Sequence, residues 1–373
     1  MRAYLDYNAT APVWPEAVAA MAAALAEPGN PSAMHGAGRK VRARIETARE
    51  KLAGVLDVKP AEIVITSGGT EANALAIGGL AAAGTVERIL VSAIEHPSVL
   101  EAARASDLPV TLIPVSRDGV VDCNALQAAL AAKGRALVSV MAANNETGVI
   151  QPIGEVARLA HEAGALAHVD AVQMALLPQH WAGADLISIS AHKIGGPAGV
   201  GALILRTDAE LSPLLRGGGQ ERRRRAGTEN AAGISGFAAA AVKTEAILAC
   251  QPRIAALRDR LEAGVIALAP QTEFFGARAS RLAGTSNFAT PGIASALKVM
   301  ALDLAGIAVS AGSACSSGKV ERSHVLAAMD AGPLAGEAIR ISLGWNTTEA
   351  EIDLFLEAYG AFLAQHEMRR RAS

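Results

Sequence analysis

The chain has 373 residues, 51% hydrophobic and 19% charged, enough to bury a large core with a smaller unit beside it. Lys and Arg total 34 against 36 Asp and Glu, a net charge of -2; this offers nucleic acid no positive field and a membrane no basic surface, so a small-molecule partner is expected. Three cysteines, Cys123, Cys250 and Cys315, with no C-x-x-C pair, indicate neither a disulfide framework nor a zinc knuckle and suit a reducing cytoplasm.

The opening MRAYLDYNATAPVWP has no charged n-region followed by an apolar run, and no later stretch of about 18 uninterrupted apolar residues suggests a membrane span. An alanine-rich helix is expected over 17–26. From about residue 62, short β-branched runs alternate with helical stretches rich in alanine and leucine. That pattern predicts an α/β fold with a mainly parallel seven-stranded sheet, its strands at 62–66, 88–93, 110–114, 136–141, 165–169, 185–190 and 201–205. Ligands of such sheets collect beyond the carboxyl ends of the strands, and the residues there are unusually polar.

After residue 205 comes a glycine- and arginine-rich loop, GGGQERRRRAGTEN, then a helical stretch over 230–268 interrupted near Pro252. The domain change is placed there. A large domain takes 15–255; a smaller α+β domain takes 1–14 and 256–373, with strands at 285–289 and 338–343 around a helix at 295–304. The first dozen residues are expected to pack against that smaller domain. The tail MRRRAS reads as a frayed, solvated end.

Three strand ends carry the chemistry. ITSGGTEANALAI puts a Ser-Gly-Gly-Thr turn before a helix, leaving backbone N–H groups and a positive dipole end near Thr70 and Glu71. Alone, it fits a tight turn capped by Thr70 equally well. HVDAVQ puts Asp170 at a strand end, where a capping or surface role is the plain alternative. SAHKIGG offers Ser190, His192 and Lys193 within four residues, ahead of glycines that allow close backbone approach. An anion cradle, an acid to face a ring nitrogen and a cleft lysine are together what pyridoxal phosphate requires.

The order and spacing of these pieces resemble the NifS/IscS-type cysteine desulfurases of the fold-type I, class V aminotransferase superfamily. The resemblance runs nearly end to end, through YLDYNATAP, GNPSAMHGAGR, TSGGTEAN, EHPSVL, NNETGVIQPI, HVDAVQ, SAHKIGGPAGVGAL, GGGQERRRRAGTEN, GSACSSG and IRISLG. It implies Lys193 as the Schiff-base lysine, Asp170 as partner of the pyridine nitrogen and Gln173 as partner of the ring oxygen. The phosphate would rest on Gly69, Thr70, Ser190 and His192, with Thr228 reaching in from a second subunit of a homodimer. His96 would stack on the cofactor ring and could move a proton at the substrate thiol, while Asn145 and Arg340 would hold the substrate carboxylate.

Cys315 lies in SAGSACSSGKVERS, a run of small residues suited to an accessible, mobile thiolate, whereas Cys123 and Cys250 are expected to be inert structural cysteines. The resemblance implies that Cys315 carries a persulfide, that L-cysteine becomes L-alanine, and that a protein acceptor takes the sulfur toward iron–sulfur cluster assembly or tRNA thiolation. No resident metal is expected, although Cys315 could transiently ligate a nascent iron–sulfur cluster. The alternatives are a selenocysteine lyase, another class V aminotransferase, or a silent cofactor-binding scaffold. The run Arg222 to Arg225 is more basic than the family's usual Arg-Gly-Arg-Arg, with loop geometry or plain solvated charge as its two consequences and the latter favoured. Ala198 and Arg322 also depart from the pattern, without touching a catalytic role, and no long C-terminal extension follows the last helix.

Overall fold

A computed structural model describes residues 3–311 and 322–372, so Cys315 and the rest of GSACSSG lie outside the described residues. The strands are β1 (Ala3–Tyr4), β2 (Ile63–Thr66), β3 (Arg88–Ser92), β4 (Val110–Ile113), β5 (Ala136–Ser139), β6 (Leu166–Asp170), β7 (Leu186–Ser190), β8 (Gly201–Leu205), β9 (Glu273–Phe274), β10 (Thr285–Ala289), β11 (Ile307–Ala308), β12 (Ser310–Ala311) and β13 (Ala338–Ser342). The helices that matter most to the site are α1 (Pro15–Leu25), α2 (Gly36–Leu56), α3 (Gly69–Ala82) and α4 (Pro97–Arg104).

The seven expected strands form one sheet in the order β2-β8-β7-β6-β5-β3-β4. Only β8 runs against the rest, antiparallel to both β7 and β2. The reason lies in the connection: a parallel crossover needs a dozen or more residues, and 191–200 is too short for one, so the chain turns straight back. The strand sequences are near-continuous apolar runs because both faces are covered. Ile63, Ile65, Val138, Ala167, Val169, Ile187 and Ile189 face a core shared with α1 and α2. The alternate residues, Val64, Leu137, Leu166, Leu186 and Leu203 among them, face a second core shared with α3.

That alternation places the polar groups as well. Leu166, His168 and Asp170 share one face of β6, and Leu186, Ser188 and Ser190 share the same face of β7. His168 is buried between Ser139 Oγ at 2.8 Å and Ser188 Oγ at 3.0 Å, a polar strut across three strands. Burial pushes its pKa down to about 4, so it bridges as a neutral ring. Gly201 opens β8 opposite Ser190 and Thr66; a Cβ there would lie 2.6 Å from Ile189 O and 2.8 Å from Gly68 Cα, so only glycine lets this strand pass the turn before α3.

A second sheet, β12-β13-β10-β9, is antiparallel, and the N-terminal β1 pairs in parallel with β11. The first residues thus join the later half of the chain. Two helices of the central part of the chain are α5 (Cys123–Leu130) and α6 (Ile153–Glu162), and the helical stretch beyond 230 divides into α7 (Ala231–Ala241), α8 (Thr244–Ala249) and α9 (Gln251–Leu268). The break near Pro252 is present, and a second break at Val242–Lys243 is not marked by any proline or glycine. After α10 (Ser295–Leu304) and α11 (His324–Ala328), α12 (Glu349–Ala372) stays helical through the basic tail, against the expected frayed end. Met and Arg are good helix formers, and basic residues suit a helix C-terminus. Among the described residues, no helix is long and apolar enough to cross a membrane.

The arginine run does more than carry solvated charge. Arg222 and Arg223 are exposed, but Arg224 donates to Ala61 O at 3.2 Å and Arg225 pairs with Glu71. Glu221, Arg222 and Arg223 take left-handed φ angles of 44°, 56° and 66°, a conformation that costs an L-residue about 1–2 kcal/mol. The buried Glu221 carboxylate holds this turn, accepting from Arg49 at 2.7 and 2.9 Å and from Ile65 N at 2.9 Å. Arg223→Gly removes the steric penalty at the end of the turn. It is expected to raise unfolding stability by about 1 kcal/mol, partly offset by backbone entropy, as measured by urea denaturation; a loss of stability would show that the Arg223 side chain holds the turn.

Candidate active site

Strands β2, β3, β5, β6 and β7 all deliver their carboxyl ends to one edge of the central sheet, and a cleft of about 300 Å³ opens there. Gly69, Thr70, His96, Asn145, Asp170, Gln173, Ser190, His192, Lys193 and Arg340 all line it. Two further site residues are expected from the sequence. Thr228 is exposed on its loop and does not line the cleft of its own chain, and Cys315 falls outside the described residues.

Lys193 closes the single turn Ala191–Lys193 that follows β7. Its Nζ donates to the carbonyl oxygens of Asn8 and, at 2.8 Å, Ala9. The turn is held by Trp14, whose Nε1 donates to Ile194 O at 3.1 Å. Gly195 has φ of 80°, and a Cβ there would reach 2.4 Å from the Trp14 ring, so the glycine after Lys-Ile is fixed both by backbone and by contact. His192 sits beside it with Nδ1 3.2 Å from Thr10 Oγ1, its pKa pushed down to about 4 by burial and by the Lys193 charge.

At the start of α3, Gly68 rather than Thr70 is the capping residue, and Gly69 and Thr70 are the first two helical positions. Their N–H groups belong to the unpaired first turn, where the helix dipole favours an anion. A Cβ on Gly69 would come to 2.7 Å from Val172 Cγ2, so glycine is what lets the helix start press against the strand ends. Glu71, in that same turn, accepts from Ser67 N at 2.7 Å and from Arg225 Nε at 2.9 Å, which offsets its charge.

Asp170 is buried at the end of β6, its Oδ2 accepting from Asn73 Nδ2 at 2.8 Å and its Oδ1 from Val172 N at 3.0 Å. Each oxygen keeps a further acceptor position. His96 caps α4 with Nδ1, which accepts from Ser98 N at 3.1 Å and lies 2.7 Å from Ser98 Oγ. Burial draws its pKa down, Asp170 opposing and Lys193 and His324 reinforcing. Gln173 Nε2 donates to Asn8 O at 3.1 Å.

Arg340 comes from β13 of the smaller sheet. Its Nη2 pairs with Asp6 at 2.7 Å and its Nη1 donates to Asn145 O at 3.0 Å, while its buried Nε has no partner among the described residues. The guanidinium is thus oriented from behind by two of its five N–H donors, which leaves others for a carboxylate.

Asn8, Asn73, Ser98 and Asp6 are the structural members of the site that have no role in the sequence reading. Asn8 is the hub, for its O accepts from Lys193 and Gln173 while its Nδ2 donates to Asn145 O at 3.1 Å and Thr285 Oγ1 at 3.0 Å. YLDYNATAP and TSGGTEAN contain Asn8 and Asn73, so the signal was present, but their partners are far along the chain.

Behind the substrate end, the buried Glu146 accepts from Ser323 Oγ at 2.5 Å. Burial pushes its pKa up to about 7, opposed by the Ser323 hydroxyl and by Arg340. A carboxyl whose pKa rises on folding contributes stability that is full below about 4.5 and is lost as pH climbs through about 7. Glu146→Gln keeps a neutral side chain at every pH. It is expected to flatten the fall in stability between pH 5 and pH 8 and to gain about 1–3 kcal/mol over the parent at pH 8 in urea titrations; an equal fall in both proteins contradicts the assignment.

The donor set fits pyridoxal phosphate. A helix start flanked by Ser190 and His192 suits the phosphate, a buried carboxylate suits the ring nitrogen, and an amine stands at the end of the cleft. The aminotransferase class-V family matches residues 3–355. A cysteine desulfurase of Cereibacter sphaeroides is 45% identical over 95% of this chain and 94% of its own. An IscS-like cysteine desulfurase of Mycobacterium tuberculosis is 41% identical over 97% of this chain and 96% of its own. A solved NifS-like protein superposes with a TM-score of 0.89 at 35% identity, covering 98% of this chain and 100% of that one. With its fold, cleft and relatives in agreement, the chain belongs to the class-V aminotransferase family of pyridoxal-phosphate enzymes, among its NifS- and IscS-type cysteine desulfurases.

Proposed function

We propose that this chain is a cysteine desulfurase, taking sulfur from L-cysteine, releasing L-alanine and leaving a persulfide on Cys315. One observation carries the proposal: the amine of Lys193, the carboxylate of Asp170, the anion-binding start of α3 and the Arg340 guanidinium, from widely separated stretches, meet in one cleft. Gly69, Thr70, Ser190 and His192 would hold the cofactor phosphate, Gln173 its ring oxygen and Asp170 its pyridine nitrogen, all of them lining the cleft. When bound, pyridoxal phosphate supplies an electron sink for negative charge at the substrate Cα.

Lys193 takes the Cα proton of the substrate, a role for which an amine in a partly desolvated cleft is suited. Arg340 and Asn145 orient the α-carboxylate so that this proton faces Lys193. The Cys315 thiolate attacks the substrate Sγ. An S–S bond forms and the Cβ–S bond breaks, and the electron pair stays with carbon, which takes up a proton. The balance is L-cysteine plus a thiol giving L-alanine plus a persulfide; a reductant or acceptor protein then removes the outer sulfur.

Thr228, exposed in its own chain, is suited to reach the phosphate end of a second copy, so the working form is a homodimer. The division of labour is a large cofactor domain over 15–255 and a smaller domain over 1–14 and 256–373. The setting is the cytoplasm, and the acceptors are of the kind that feed iron–sulfur cluster assembly or tRNA thiolation. The relatives are named for cysteine, so the selenocysteine reading is not favoured. Supplied with L-cysteine and a thiol reductant, the purified protein is expected to form L-alanine and sulfide in equal amounts. Absence of alanine, or a much higher turnover with L-selenocysteine, would overturn the proposal.

A further inference from the structure

We propose that Asn73 and Ser98 are positioning residues that lock His96 as the Nε2–H tautomer, making it a hydrogen-bond donor in the cleft rather than a base for the substrate thiol. The inference concerns a residue of the proposed desulfurase site, but the geometry behind it is independent of the reaction. A backbone N–H can only donate, and Ser98 N donates to His96 Nδ1 at 3.1 Å, so Nδ1 carries a lone pair and the ring proton is on Nε2.

The hydroxyl of Ser98 reinforces this through a chain of fixed polarity that begins at Asp170. An ionised carboxylate can only accept, which turns the Asn73 amide so that Nδ2 faces Asp170 Oδ2 at 2.8 Å. The second hydrogen of the same nitrogen goes to Ser98 Oγ at 2.9 Å. Having accepted there, Ser98 Oγ directs its own proton to His96 Nδ1, 2.7 Å away. The Asn73 Oδ1 is buried without a partner among the described residues, an orientation the amide keeps because the Asp170 oxygen takes a donor. Asp170 thus sets the tautomer of His96 through two intervening side chains.

Protonation of Nδ1 would turn a donor toward the Ser98 N–H and break the relay. The other titratable groups that act on His96 are Asp170, which favours a charged ring, and Lys193 and His324, which oppose it. The relay therefore keeps His96 neutral while Lys193 handles the proton.

The test uses the cofactor-loaded enzyme with nitrogen-15 histidine, the His96 signals being assigned by their loss in His96→Gln. The parent is expected to show a protonated Nε2 and an unprotonated Nδ1, unchanged from pH 6 to pH 9. In Ser98→Ala the Nδ1 resonance is expected to shift, with the alanine-forming rate falling about tenfold and its pH profile moving, because one hydrogen bond is lost while the backbone donor remains. Ser98→Thr is expected to restore both. A proton on Nδ1 in the parent, or an Nδ1 resonance and pH profile unaltered in Ser98→Ala, would overturn the relay. Neither spectrum depends on which amino acid the enzyme consumes, so failure of the desulfurase proposal would be seen separately in the alanine assay.

Discussion

Lys193→Ala is expected to lower alanine formation from L-cysteine by about a thousandfold or more and to abolish the yellow colour of the purified protein. The effect is large because one amine does two jobs, holding the cofactor and taking the Cα proton, and no second amine lines the cleft among the described residues. The fold should survive. Lys193 contributes hydrogen bonds to Asn8 O and Ala9 O, while the turn that carries it is held separately by Trp14 and Gly195. Unfolding stability is therefore expected to stay within about 1–2 kcal/mol of the parent. Lys193→Arg makes the sharper control, since its guanidinium keeps the charge but cannot give up its proton near neutral pH. A rate for either variant within tenfold of the parent would remove Lys193 from the chemistry.

The parts of this site that were legible in the sequence are those whose signal is local. Asp170 and Ser190 end strands with unmistakable apolar runs, and Lys193 follows the second of them by three residues, so the shared carboxyl ends of parallel strands already place them at one edge. The reversed β8 was less visible, because Gly201–Leu205 reads as a strand in either direction and only the shortness of 191–200 decides it. The helical tail is hard to read because its terminal position suggests fraying while Met and Arg are good helix formers.

Contacts across the chain were not legible. Asn8 reaches Gln173 and Lys193 from 165 and 185 positions away, and Asp6 orients Arg340 from 334 positions away. Nothing in the spacing of polar residues announces such pairs, which exist only once β1 has joined β11 and brought the N-terminal segment between the two sheets. The consequence is physical. The same short segment supplies the acceptors for the Lys193 amine, the carboxylate behind Arg340 and the bond to Thr285, so it sets the distance between the amine and the substrate-carboxylate end of the cleft.

Cys315→Ala carries the second large effect. It is expected to keep the parent's colour and its spectral change on adding L-cysteine, while sulfide release falls to a few per cent or less. The chain has three cysteines, and the two described ones are poor candidates. Cys123 opens α5 away from the cleft, and burial, with Glu155 and Asp122 nearby, pushes its thiol up and so starves it of thiolate. Cys250 links α8 to α9 and spends its Sγ on Ala246 O at 2.9 Å, again outside the cleft. Cys123→Ser and Cys250→Ser are accordingly expected to release sulfide at the parent's rate. Alkylating the persulfide after a single addition of L-cysteine locates the sulfur directly: the label should appear on the peptide containing Cys315 in the parent and in both serine variants. A label on Cys123 or Cys250, or parent-like sulfide release from Cys315→Ala, would show that the sulfur leaves by another route.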